Sequence, residues 1–124
     1  MAGDLNEKLR GAYLRFGSRD LAGAERLCGE VLGAEPGNAG ALHLMGLVRL
    51  AGGRAREAVS LLARAVEQSP FDAAAAENLG VAHLAAGEAR AAEQALRRAI
   101  ELGAAHASVF MRLGLALALQ NRAA

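Results

Sequence analysis

A step of 34 residues runs through this chain. Gly46, Gly80 and Gly114 stand 34 apart, inside Met45-Gly46-Leu47, Leu79-Gly80-Val81 and Leu113-Gly114-Leu115. Ala24, Ala58 and Ala92 keep the same step, as do Gly53 and Gly87, and Arg64-Ala65-Val66-Glu67 returns as Arg98-Ala99-Ile100-Glu101. Pro36 and Pro70 share a slot that Ala104 fills in the third copy. Carried backwards, the register puts Ala12 in the slot of Gly46 and Val31 in that of Ala65. A unit this short cannot bury its apolar face alone. It must stack on its neighbours, so the chain is constrained to an array of repeats.

Within a unit the apolar residues recur at helical spacing. Leu42, Met45, Gly46 and Arg49 or Leu50 follow one face until Gly52-Gly53 interrupts, and Ala58, Leu61, Leu62, Ala65 and Val66 follow a second until Ser69-Pro70. The pattern predicts helices over 4–17, 20–33, 39–51, 55–67, 73–86, 89–102 and 107–121. That is an all-α chain of three helical hairpins, units 5–38, 39–72 and 73–106, plus a terminal helix 107–121, in one domain spanning 1–124. Glycine inside a helix costs about 1 kcal/mol against alanine, so its return at one slot marks a close helix crossing. Such a slot is expected to accept Ala and to reject Leu. Helix 20–33, with Gly23, Gly29 and Gly33, is the weakest by propensity.

Composition narrows the function classes. The chain has 124 residues, a net charge of +1 and one cysteine. That charge balance argues against nucleic-acid binding. A lone Cys28 gives neither a disulfide framework nor a cysteine-based zinc cluster, and its slot is one for a buried apolar residue. His43, His83 and His106 show no i, i+4 metal spacing, so no metal or cofactor is expected. Glycine-rich phosphate loops and nucleophile motifs are missing, and the carboxylates pair with nearby arginines, as Glu93 does with Arg90 and Arg97. The expectation is not an enzyme. The N-terminus has no apolar run, and the longest uncharged apolar stretch, Leu113 to Leu119, is far short of the ~20 residues of a membrane span. A cytoplasmic chain off the membrane is expected.

These residues resemble the tetratricopeptide repeat in its bacterial form. The second unit reads Leu42, Met45-Gly46, Arg49, Gly53, Ala58, Leu62, Ala65, Pro70, and the third Ala76, Leu79-Gly80, His83, Gly87, Ala92, Leu96, Ala99, Ala104. The first, Lys8, Gly11-Ala12, Arg15, Arg19, Ala24, Cys28, Val31, Pro36, is degenerate. The resemblance implies an α-solenoid, a right-handed superhelix whose first helices line a concave groove. Few slots hold the aromatics usual there, so the core is expected to be thin and rich in alanine.

In that register the candidate peptide-binding residues are Leu9, Arg10 and Tyr13, then His43, Leu44 and Leu47, then Glu77, Asn78 and Val81, then Met111 and Arg112, joined by Phe16, Leu50, Leu84, Leu115 and Leu119. The trough is mostly apolar, suited to a peptide or partner helix. Of the family's carboxylate clamp only Asn78 and Arg112 match. Of an asparagine ladder along Arg10, Leu44, Asn78 and Arg112, one rung remains. Two functions fit: an adaptor that binds protein, or the substrate-recruiting N-terminal arm of a bacterial glycosyltransferase, sulfotransferase or peptidyl hydroxylase. The last helix is apolar nearly all round. Phe110, Leu113 and Leu117 are therefore expected to be covered, by a second copy or by the rest of a longer polypeptide.

Overall fold

Local chemistry sets where each helix begins. Asp20 accepts from the Gly23 amide, Asn38 from Ala41, and Asp72 from Ala74 and Ala75, so three helices open on a side-chain cap. The computed structural model describes residues 2–123, leaving Met1 and Ala124 of the expected 1–124 domain outside it. Its helices are α1 (Ala2–Gly17), α2 (Leu21–Ala34), α3 (Ala39–Ala51), α4 (Ala55–Gln68), α5 (Ala73–Ala85), α6 (Ala89–Glu101) and α7 (Ala107–Ala123), and no strand occurs among the described residues. They fall within one or two residues of the predicted spans.

The turns inside the hairpins need a left-handed residue. Gly53 and Gly87 supply it at φ +77° and +79°. Arg19 holds the same slot in the first unit at φ 66°. A side chain there is strained by about 1–2 kcal/mol.

The small slots are tighter than the sequence suggests. A Cβ at Gly46 would stand 2.6 Å from Leu62 Cγ, and one at Gly80 2.7 Å from Leu96 Cγ, with both leucines fully buried. Even alanine therefore crowds these crossings, which corrects the expectation that it is accepted. In the first hairpin Ala12 takes the slot, and the position matching Leu62 and Leu96 is Cys28, in the same buried cluster. A smaller residue opposite makes room for the methyl. Gly114 departs from its counterparts: a Cβ there would meet nothing within 4 Å, because among the described residues no second helix faces it.

The interior is three small clusters rather than one core. They centre on Ala12, Cys28, Leu44 and Met45, on Ala58, Leu62 and Ala82, and on Ala76, Leu96, Ala99 and Val109. Alanine dominates the buried positions, as the missing aromatics suggested. Helix α1 approaches α3, α3 approaches α5 and α5 approaches α7, whereas among the described residues no such contact joins α2 to α4 or α4 to α6. First helices close and second helices splayed make a curved solenoid, with α1, α3, α5 and α7 on the inner wall.

Candidate functional site

The inner wall is tied together by contacts one residue beyond the repeat. Asn78 Nδ2 donates to His43 Nε2 at 2.8 Å, and Arg112 Nη1 donates to Glu77 Oε2 at 2.9 Å, each between residues 35 apart. The equivalent pair in the first unit is Leu9 and Leu44. Leu9 packs against the cluster that holds Leu44, and its Cδ2 lies 2.8 Å from where a Cβ on Gly40 would stand. The rungs are thus apolar, then neutral polar, then ionic. His106 Nε2 adds a bond to Glu77 Oε1 at 2.8 Å. Met111 starts a fourth rung and is 71% exposed.

These rungs change the roles of several candidate residues. Leu44 is fully buried and does not line the trough, because Leu9 and α1 close over it. Leu9 itself is half-buried in the same joint. Asn78 and Arg112 are engaged with His43 and Glu77 rather than standing as open handles. Leu113 turns inward to pack beside Val109 and Leu96, so it does not belong to the open face with Phe110 and Leu117.

What stays accessible is a line at the 34-residue step: Tyr13, Leu47, Val81 and Leu115. Tyr13 is 43% exposed, Leu115 is exposed, and Leu47 and Val81 are half-buried. Arg10 is also exposed, while Phe16, Leu50, Leu84 and Leu119 are half-buried. A cleft of about 140 Å³ opens on this wall beside Tyr13, His43, Ser69 and Asp72. Burial lowers the His43 imidazole below its usual value, with nearby Asp72 opposing in part. A ring that accepts from Asn78 at Nε2 is the neutral tautomer with its proton on Nδ1. Burial also raises the Tyr13 phenol, with smaller contributions from Cys28 and Asp72.

Sequence reasoning missed the contacts of three residues. Arg49, in a slot where the family favours an aromatic, bridges Glu25 of α2 at 2.8 Å and Glu57 of α4 at 3.1 Å. His106 joins the inner wall through Glu77, and Gln120 ties α7 to Glu93 of α6 at 2.7 Å. The signal for the rungs was present, since residues 35 apart place one slot against the next slot of the following unit. Cys28 is fully buried, and burial pushes its thiol up to about 11, so it is no nucleophile. A second cleft, about 260 Å³ beside Val66, Leu79, Ala91 and Arg98, lies between α4 and α6. Among the described residues no three His, Cys, Asp or Glu side chains converge as a metal site, and no helix is long and apolar enough to cross a membrane.

A family model for the tetratricopeptide repeat matches residues 15–79 and again 49–112. The chain belongs to the tetratricopeptide repeat family. Among solved structures, the Thermobaculum terrenum O-GlcNAc transferase (a K341M mutant) is similar at 34% identity and TM-score 0.87, over 94% of this chain and 22% of that one. A MamA protein is similar at 29% identity and TM-score 0.83, over 94% of this chain and 63% of that one. The first tetratricopeptide domain of Spaghetti (RPAP3), bound to the HSP90 peptide SRMEEVD, superposes at TM-score 0.90 and 16% identity over 100% of this chain and 97% of that one, a likeness of fold. This chain therefore spans about a fifth of the transferase and less than two thirds of MamA. No curated protein sequence matches it.

Proposed function

We propose that this tetratricopeptide array is a protein-interaction module, without catalysis of its own, whose inner wall holds a partner helix or extended peptide. One observation carries the reading: an apolar line of Tyr13, Leu47, Val81 and Leu115 runs along the wall, while beside it Asn78 pairs with His43 and Arg112 with Glu77. Apolar residues of the ligand would lie along that line, at helical or alternating spacing. Arg112 has five N–H donors and places one on Glu77, so the others remain to hold a ligand carbonyl. With Glu77 opposing it, Arg112 is a poor clamp for a terminal carboxylate. Selection from a random-peptide display library tests this directly. Enriched peptides should be apolar and lose at least about tenfold in affinity to Leu47→Glu, a loss of roughly 1.4 kcal/mol, with helical content unchanged. Binding unaltered by Leu47→Glu and Val81→Glu, yet abolished by Ala91→Glu in the cleft between α4 and α6, would overturn the assignment.

A second reading has its own support. The likeness to the O-GlcNAc transferase covers nearly all of this chain and a fifth of that one. The module would then recruit substrate for a catalytic domain elsewhere in a longer protein. Sequencing the gene beyond codon 124 tests this reading, and a catalytic domain in frame supports it.

A further inference from the structure

Helix α7 shows α6 one side and leaves the other open. Val109 and Ala116 are fully buried, and Leu113 and Gln120 also turn inward. At 100° per residue the opposite arc, roughly 160° wide, carries six apolar residues, Leu117, Phe110, Gly114, Ala118, Met111 and Leu115, with Ala107 and polar Asn121 toward the helix ends. All six are exposed, Phe110 to 50%. No charge lies among them, and Arg112 faces Glu77 instead.

The internal repeat says how such a face is filled. Phe110 stands in the slot of Leu42 and Ala76, which are 1% and 2% exposed. Gly114 stands in the slot of Gly46 and Gly80, each of which receives a buried leucine from a helix crossing it closely. The face is thus one half of a hairpin joint, and it needs an apolar helix that crosses closely at Gly114 and sets bulk against its other small residues.

Helix α7 carries both halves of that requirement. We infer that a second copy of this chain covers the face, α7 packing antiparallel on α7 about a two-fold axis at Gly114. A residue k positions before Gly114 then faces one k positions after it on the other copy. Phe110 meets Ala118 of the second copy, large against small, and Leu117 meets Met111. The glycines meet where the backbones cross. Such self-complementarity is what an isologous interface requires. The six apolar residues bring no like-charge repulsion to the pairing. Covering these residues on both copies buries on the order of 1,000 Å², the lower limit for a specific interface, so the dimer is a weak one. The face shares Met111 and Leu115 with the rim of the inner wall, and its other residues lie off the ligand line.

Sedimentation equilibrium of the full chain from about 1 to about 200 µM tests it, since that range brackets a micromolar dissociation constant. The expected result is a reversible monomer–dimer equilibrium. Gly114→Leu is the decisive variant. Its side chain points into open space in a single copy, so the fold and helical content should persist, but it blocks the crossing. The dissociation constant should rise at least tenfold with Gly114→Leu and again with Phe110→Glu, while Leu47→Glu on the inner wall should leave it unchanged. A monomer throughout the range overturns the inference and assigns the face to another helix. Association unaffected by both α7 variants overturns it as well, by placing the contact elsewhere.

Discussion

Replacing Gly46 and Gly114 by alanine should move stability in opposite directions. Alanine gains about 1 kcal/mol over glycine inside a helix. At Gly114 nothing opposes that gain, because a Cβ there meets nothing within 4 Å. At Gly46 the new methyl lies 2.6 Å from Leu62 Cγ and 2.9 Å from Leu62 Cδ2. Leu62 is fully buried and cannot swing out to solvent. Overpacking of this kind costs about 1–3 kcal/mol, so the net change at Gly46 is a loss of roughly 1 kcal/mol. Urea unfolding followed by helical circular dichroism would show it, as a midpoint lowered by roughly 0.5 M at the slope usual for a small domain. Protein at about 1 µM keeps self-association from shifting the midpoints. Leu62→Cys recreates the pairing of Ala12 with Cys28, so Gly46→Ala combined with it should destabilise less than the sum of the single changes. A stabilising Gly46→Ala, equal to Gly114→Ala, would refute the argument that Leu62 fills the glycine notch.

Arg19→Gly should raise stability by about 1 kcal/mol by relieving the left-handed turn that Gly53 and Gly87 make freely, and an unchanged urea midpoint would count against strain there. His43 should make the fold acid-sensitive. Its folded pKa is depressed by burial, so the unfolded ring binds protons more readily. The stabilisation is therefore present above the unfolded value of about 6.5 and is lost as pH falls below it. His43→Leu, which restores the apolar rung of the first unit, should flatten the stability slope between about pH 7 and pH 5, and an equal slope in both proteins contradicts the assignment. Cys28, with its buried thiol pushed up to about 11, should react with a thiol reagent only when α2 opens. Labelling as fast as in denaturant would show that the Ala12–Cys28 joint is not closed.

The repeat period carried most of the fold into view, because steric slots are periodic and a period is visible in one sequence. Helix limits, hairpin turns and the burial of Cys28 follow from it. The inner wall was less legible. Leu44 and Leu47 share one helix and one residue type, yet only the first is sealed, by Leu9 of the preceding unit. Asn78 and Arg112 look like ligand handles in isolation. Their partners lie 35 residues away, at a spacing that a search in steps of 34 passes over. Gly114 shows the reverse error. It keeps the repeat's spacing, yet among the described residues no helix crosses it as α4 crosses Gly46 and α6 crosses Gly80.

A partner lying along Tyr13, Leu47 and Val81 would be seen by chemical-shift mapping of the isotope-labelled chain. The titrant is a peptide recovered from the random library. The largest shifts should fall on Tyr13, Leu47, Val81 and Leu115, with His43 and Asn78 following, while Ala91, Gln94 and Arg98 in the cleft between α4 and α6 stay still. Shifts concentrated on Ala91, Gln94 and Arg98, with the inner wall silent, would contradict it.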